Sequence, residues 1–148
     1  PLFEGIGIGT AIALLFAAFP LLAVRRESEQ VHMADFDLAI ERKSDGAAIG
    51  LLSFVRRSYG QDEIGYALGL AHRGQGYATE AARALLAYAF TELGLHRVQA
   101  TSSPANRGSW RVMERLGMRR EGHLREASFH EGVWTDVLIY GILVGEFQ

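Results

Sequence analysis

The sequence predicts a mixed α/β (α+β) domain: a mostly antiparallel central sheet flanked by helices, with one parallel strand-helix-strand unit at 63–102. Three observations carry that prediction. Short runs that alternate apolar and polar residues recur along the chain, with Gly, Asp and Ser turns between them. Residues 78–93 switch to a helical period, with apolar side chains at 78, 81, 82, 85, 86, 89 and 93. That helix stands between two strand-like runs, an order that calls for a parallel pair with a right-handed crossover. The 148 residues suffice for one core, so 1–148 is read as a single domain.

The first segment departs from the pattern. IGIGTAIALLFAAFPLLAV, Ile6 to Val24, carries no charge and is nearly as long as the ~20 residues that cross a bilayer. Arg25 and Arg26 follow it, as they do on the cytoplasmic side of an anchor. Gly7, Gly9, Pro20 and the lack of a basic stretch ahead argue the other way. Three readings stay open: a buried helix, a membrane anchor, or a segment foreign to the domain. The polar RRESEQVHMA that begins at Arg25 reads as helix or coil.

The remaining elements follow in order. FDLAIERK from Phe36 alternates as a strand; Ser44-Asp45-Gly46 is a turn, and AAIGLLSFVRR returns beside it. Ser58 to Asp62, SYGQD, makes the next turn, and EIGYALGL at 63–70 is the third strand. The helix at 78–93 stops at Gly94, and HRVQATS at 96–102 is the fourth strand. Residues 106–117 form a short helix with Asn106 as N-cap and Gly117 as stop. MRREGHLREASF and TDVLIYGILV supply two more strands joined around HEGVW.

Composition excludes several function classes. Fifteen basic and 17 acidic residues give a net charge of -2, so neither a nucleic-acid groove nor an acidic membrane surface is the expected partner. The absence of cysteine removes disulfides, thiol catalysis and zinc-thiolate sites, and makes the cytoplasm the default location. The five histidines are scattered, with no i, i+4 pair, and no metal is expected.

The chemistry concentrates in AHRGQGYATEA, residues 71–81. A Walker loop is ruled out because Tyr77 follows Gly76, and a dinucleotide fingerprint because position 79 is Thr. What survives is Arg73-x-x-Gly76-x-Ala78 between a strand and a helix. Unpaired N–H groups and the helix dipole favour an anion there, and Gly74 and Gly76 let a ligand approach the backbone. Taken alone, it reads slightly better as a turn that needs glycine only for its own backbone. The preceding strand shifts the balance. Ile64 to Leu70 alternates large and small residues, leaving one face all Gly and Ala, open to a close neighbour.

IGYALGLAHRGQGYATEAARALLAYAFTELGLHRVQA resembles the acyl-CoA-binding motif of the GNAT N-acetyltransferases. SSPANRGSWRVMERLGMRREGHLRE and HEGVWTDVLIYGIL resemble the RimJ/RimL branch, which acetylates ribosomal-protein N-termini. The resemblance runs from about Phe36 to Leu143. It implies a GNAT-like fold, acetyl-CoA as donor and an amine as acceptor, either a protein N-terminus or a small amine. It implies that Arg73, Gly74, Gln75, Gly76, Tyr77 and Ala78 hold the pyrophosphate, and that the backbone of Leu68 and Leu70 binds the pantetheine, with an N–H near Leu68 polarising the thioester. Asn106 matches the residue that contacts the pantetheine arm, and Ser109 the proposed proton donor to the departing thiolate.

Glu63 shares parity with Gly65, Ala67 and Gly69, so its carboxylate faces the bare side and is the first choice as general base; the alternative is an exposed strand-end carboxylate. Trp134 and Asp136 are weighed as acceptor-site or loop residues, His123 and His130 as further bases, and Tyr140, Met113 and Leu116 as core. Two departures from the family stand out. Gly108 and Trp110 flank Ser109 where the branch carries smaller or aliphatic residues, with Trp110 large enough to crowd the thiol end, and only 35 residues precede Phe36, where the family builds the acceptor wall. A CoA-binding module without transferase activity, or a membrane-tethered relative, are the alternatives; a homodimer is compatible with the sequence.

Overall fold

The computed structural model describes residues 22–26, 35–57 and 61–148. Among these, the strands are β1 (Leu22–Arg26), β2 (Asp35–Arg42), β3 (Ala48–Val55), β4 (Gln61–Leu68), β5 (Arg97–Ser102), β6 (Arg119–His130) and β7 (Val133–Leu143). The helices are α1 (Tyr77–Thr91) and α2 (Arg107–Arg115). The strands form one sheet in the order β1-β2-β3-β4-β5-β7-β6. All neighbours are antiparallel except β4 and β5, as the strand-helix-strand reading of 63–102 requires.

Period-2 burial makes the core. Leu38, Leu52, Phe54, Ile64, Val98 and Tyr140 point to one face and are at most 2% exposed. Both helices contribute to that same core. α1 buries Ala81, Ala82, Ala84, Leu85, Leu86 and Ala89 completely, so its packed stripe is wide and rich in small residues. Tyr140, Met113 and Leu116 are core, as expected. Gly94 and Gly117 follow their helices with φ of 64° and 85°.

Several local expectations change. Leu22–Arg26 is a strand, in register from Leu22↔Arg42 to Arg26↔Leu38. The end of the uncharged run is therefore neither buried helix nor membrane span, and Arg25 and Arg26 continue the strand instead of flanking an anchor. Pairing along the free edge of β2 outweighs the missing period. The rest of that run lies outside the described residues, as does most of the polar stretch after it. Among the described residues no helix is long and apolar enough to cross a membrane.

β4 starts two residues early, at Gln61, so Gln61 and Asp62 belong to a strand and not to the SYGQD turn; Ser58 to Gly60 lie outside the described residues. Asp62 is fully buried. Its carboxylate pairs with the Arg56 guanidinium at 2.8 Å and accepts from the Arg57 backbone N–H at 2.9 Å, which a buried charge needs. β4 also ends early. Leu70 leaves the strand and opens a single 3-10 turn, Leu70–His72, because Gly69 donates its N–H to Ile49 and redirects the chain. Trp134 and Asp136 lie in β7 and not in a loop; the hairpin turn is Glu131-Gly132, with φ of 50° and 78°.

Leu85→Ala removes a side chain with no exposure from the interface between α1 and the sheet. It is expected to cost about 2–5 kcal/mol. Urea unfolding monitored by circular dichroism measures it; a loss well under 1 kcal/mol would mean that this interface is not the packed centre of the domain.

Candidate active site

The only parallel ladder in the described sheet is short. Gln61, Asp62 and Glu63 pair with Arg97, Val98 and Gln99; beyond Glu63, β4 pairs with β3 alone. The two strands part, and the sheet opens between them. A cleft of about 600 Å³ lies at this opening. Tyr66, Ala67 and Leu68 all line it although their side chains alternate, because it follows the free edge of β4 and not one face. From Gly65 to Leu68, backbone groups on that edge have no strand to bond.

One wall is the turn into α1: Arg73, Gly74, Gly76, Tyr77, Ala78 and Thr79. Gly76 caps the helix at φ 85° and Gly74 sits at φ 74°, conformations that L side chains rarely adopt. A Cβ at either would meet nothing within 4 Å, so the glycines are required by the backbone path and leave open space above it. No side chain caps α1. Its first N–H groups are available to a ligand, and their dipole favours an anion. Thr79 places a buried hydroxyl in this first turn with no hydrogen-bond partner among the described residues.

The other wall is the start of α2: Ala105, Asn106, Arg107, Gly108, Ser109, Arg111, Val112 and Arg115. Arg107, Arg111 and Arg115 recur every four residues, a single stripe facing the cleft. With Arg73 they put four arginines on its walls, none ion-paired among the described residues. Arg83 reaches across from α1 to the Arg115 carbonyl at 3.1 Å and ties the two walls. The cleft suits a polyanion.

Asn106 caps α2, its side-chain oxygen accepting from the Ser109 N–H at 3.2 Å. α2 is pinned across the opening by Tyr66, whose hydroxyl donates to the Ser109 carbonyl at 2.7 Å. The Ser109 hydroxyl donates in turn to the Tyr66 oxygen at 3.5 Å, a weak contact. Burial pushes the Tyr66 hydroxyl up to about 12, against the smaller opposing effect of its contact with Ser109.

Glu63 is elsewhere. It stands at the apex of the opening, on the sheet face opposite Ile64 and Tyr66, and does not line the cleft. Its carboxylate accepts from the Arg57 guanidinium at 3.0 Å, Gln99 Nε2 at 3.3 Å and Thr101 Oγ1 at 3.2 Å.

The structure thus brings Leu68, Arg73, Gly74, Gly76, Tyr77, Ala78, Asn106 and Ser109 to one cleft. Leu70 and Gln75 lie outside it: Leu70 is 80% exposed on the 3-10 turn, and Gln75 donates to the Ala71 carbonyl at 3.2 Å. The Leu68 carbonyl is taken by Arg73 Nε at 3.1 Å. Trp110 does not crowd the cleft; its indole N–H holds the Pro104 carbonyl at 3.1 Å, and Arg107 and Arg111 flank its ring at 5.9 Å. Asp136 binds His123 at 2.7 Å and the Glu126 N–H at 2.9 Å, and Trp134 packs on Phe129 at 4.9 Å; none of these lines the cleft. Sequence reasoning missed Tyr66, Thr79 and the arginine stripe. The stripe's i, i+4, i+8 spacing was a readable signal; Tyr66 and Thr79 had none.

Tyr66 gives a pH signature. Its folded value, about 12, is above the ordinary 10.0, so the folded chain keeps a proton that the unfolded chain loses. The stability this provides is complete below about pH 10 and is lost as pH rises through about 12. Unfolding midpoints measured across that window should fall with pH, and Tyr66→Phe should flatten part of the fall. An unchanged slope in that variant would place the hydroxyl in a solvated setting.

The model of the "Acetyltransferase (GNAT) domain" matches residues 15–119. The chain is 38% identical over 117 residues to "Probable N-acetyltransferase YjcK" of Bacillus subtilis, covering 79% of this chain and 64% of that protein. It is 32% identical over 91 residues to the "[Ribosomal protein uS5]-alanine N-acetyltransferase" of Escherichia coli, covering 60% and 47%. Among solved structures, "Mycobacterium smegmatis RimJ in complex with CoA-disulfide" superposes with a TM-score of 0.70 at 32% identity, covering 76% of this chain and 55% of that one. The chain therefore spans about half to two thirds of the length of these curated relatives. An opened sheet, an uncapped helix after a glycine turn and a match over 15–119 agree: the chain belongs to the GNAT acetyltransferase family.

Proposed function

We propose that this chain is an acetyl-CoA-dependent N-acetyltransferase that acts on a primary amine, in a soluble, cytoplasmic setting. The observation that carries the reading is the four-arginine cleft at the uncapped start of α1, opening onto the free edge of β4. The residues present fit the co-substrate. CoA is a long polyanion with an amide-bearing arm; the cleft offers arginines, free helix N–H groups, an unpartnered Thr79 hydroxyl and a strand edge in need of bonds. Gly74, Gly76, Tyr77 and Ala78 with Arg73 line the phosphate end, and the edge at Leu68 with Asn106 receives the arm. Leu70 and Gln75 remain in this proposal as residues bordering the turn.

Acetyl-CoA supplies an activated acyl group. The chain supplies orientation and proton handling. Ser109 is the proton donor to the departing sulfur, its main chain held by the Tyr66 hydroxyl at 2.7 Å. As the C–N bond forms and the C–S bond breaks, Glu63, through a water, takes the proton that the attacking amine sheds; Glu63 then releases it to solvent and Ser109 regains a proton from solvent, which resets both groups. The acceptor is an amine of a protein N-terminus or a small primary amine; the likeness to a uS5-alanine N-acetyltransferase supports the first.

Two variants test the reading. Gly76→Val forces a branched side chain into φ 85° and should abolish acetyl-CoA binding measured by calorimetry. Ser109→Ala should lower kcat on a reactive amine by ~10²-fold or more while leaving acetyl-CoA affinity nearly intact. Tight acetyl-CoA binding with no thiol release on any amine would favour a CoA-binding module; no binding would sink both readings.

A further inference from the structure

We infer that Tyr66 is a positioning residue for the transfer step: it references Ser109 to the strand edge along which the co-substrate's arm lies, and so sets the distance between the Ser109 hydroxyl and the departing sulfur. The inference rests on the transferase reading above and on the part Ser109 takes in it. It adds the residue through which Ser109 is placed.

Tyr66 stands on the fixed side of the opening. It lies beyond Glu63, where pairing between β4 and β5 ends, and its backbone is still in register with Leu52 of β3. One edge of β4 is therefore tied at Tyr66 while the other is free to bond an amide-bearing ligand. The side chain leaves this same residue, lines the cleft and reaches α2. A ligand on the edge from Gly65 to Leu68 and a helix held by Tyr66 thus share one short piece of backbone as their reference.

The hydroxyl holds the main chain of Ser109 and leaves its side chain alone. It donates to the Ser109 carbonyl at 2.7 Å, a well-made O–H···O distance. The Ser109 N–H is taken by the Asn106 side chain at 3.2 Å. Both ends of this residue are therefore fixed, one by the cap of its own helix and the other by the sheet. The Ser109 hydroxyl is not. Its partner among the described residues, the Tyr66 oxygen, is 3.5 Å away, too far to hold it firmly. A fixed main chain with an uncommitted hydroxyl suits a group that must turn on a ligand atom and give up a proton.

The fastening is stiff, and it acts at one end of the helix. The Tyr66 ring packs against the core, and with two side-chain torsions its oxygen goes where the ring is put. Burial keeps the phenol protonated, up to about 12, so it stays a donor at working pH. α2 is nine residues long, with Ser109 in its first turn. Tyr140 on Glu114 at 3.2 Å and Arg83 on the Arg115 carbonyl at 3.1 Å tie down the far end. Without the Tyr66 hydroxyl the first turn pivots about those far contacts, and Ser109 drifts from the strand edge.

The test compares Tyr66→Phe, Tyr140→Phe, Ser109→Ala and the Tyr66→Phe/Ser109→Ala double variant with the unchanged protein. Calorimetry gives acetyl-CoA affinity, which also shows that each variant is folded. Thiol release with a reactive amine gives kcat and KM. Tyr66→Phe should lower kcat about tenfold, since a misplacement of about 1 Å costs up to ~10²-fold. Acetyl-CoA affinity and amine KM should stay nearly unchanged, the pattern of a contact that matters only in the transition state. The double variant should be no slower than Ser109→Ala alone, because Tyr66 acts through Ser109. Tyr140→Phe, which frees the far end of α2, should keep kcat. Equal losses in Tyr66→Phe and Tyr140→Phe, or a double variant slowed by the product of the single losses, would mean that Tyr66 merely holds the fold. Full kcat in Tyr66→Phe or in Ser109→Ala, or lost acetyl-CoA affinity in Tyr66→Phe, overturns the inference as well. In each of these cases an active unchanged protein leaves the transferase reading standing. An unchanged protein that does not bind acetyl-CoA, or releases thiol with no amine, overturns that reading and this inference with it.

Discussion

Parallel pairing between β4 and β5 holds for three residues and then stops. Most of what makes this chain chemically useful follows from that interruption. A closed ladder would satisfy the β4 backbone and leave a smooth sheet. The opened one leaves an edge inside the sheet, where unbonded N–H and C=O groups are costly unless something occupies the place. α2 runs over the opening, held at its first turn by Tyr66 and further along by the Tyr140 hydroxyl on Glu114 at 3.2 Å. The wedge is kept open by a helix fastened to strands on both sides of it.

The same geometry collects the charge. Arg107, Arg111 and Arg115 on α2 and Arg73 after β4 belong to separate elements that meet only where the strands part. Four like charges around one cleft repel one another, and solvent screening keeps that cost small while they are hydrated. They gain when a polyanion replaces the water. The α1 N-terminus adds the same sign of field without a side chain. The mouth is thus organised by backbone and stripe together, and neither part alone distinguishes a site from an ordinary turn.

Much of this was legible in the residues, and the illegible remainder has physical causes. The large-small alternation of Ile64 to Leu70 marked β4 and its bare face, and the apolar stripe at 78–93 marked α1. Asn106 announced the start of α2 because a cap side chain satisfies a local N–H. β1 was not legible: an uncharged run has no period to separate strand from helix, and only the edge of β2 decides. The end of β4 at Leu68 was missed because alternation continues to Leu70 while the pairing does not. The opening of the sheet has no residue code: the alternation of Gly65 to Leu68 continues while pairing with β5 has stopped. Tyr66 was passed over for a related reason: as one large residue of an alternating strand it looks like core, and only the crossing of α2 turns its hydroxyl towards Ser109.

The charge along the opening has a consequence for the proposed transfer. In the proposed reaction the arginines hold the anionic end of the co-substrate, and a cationic amine is repelled from the same mouth. On the proposed reading the reacting ends meet where β4 and β5 part, in a space where protein replaces part of the water. Glu63 stands at the apex of that opening, and Tyr66 and Ser109 line the cleft beyond it. Strand divergence therefore supplies more than room for a ligand. It exposes the edge of a strand inside a sheet, where backbone and the side chains of two helical walls come within reach of one ligand.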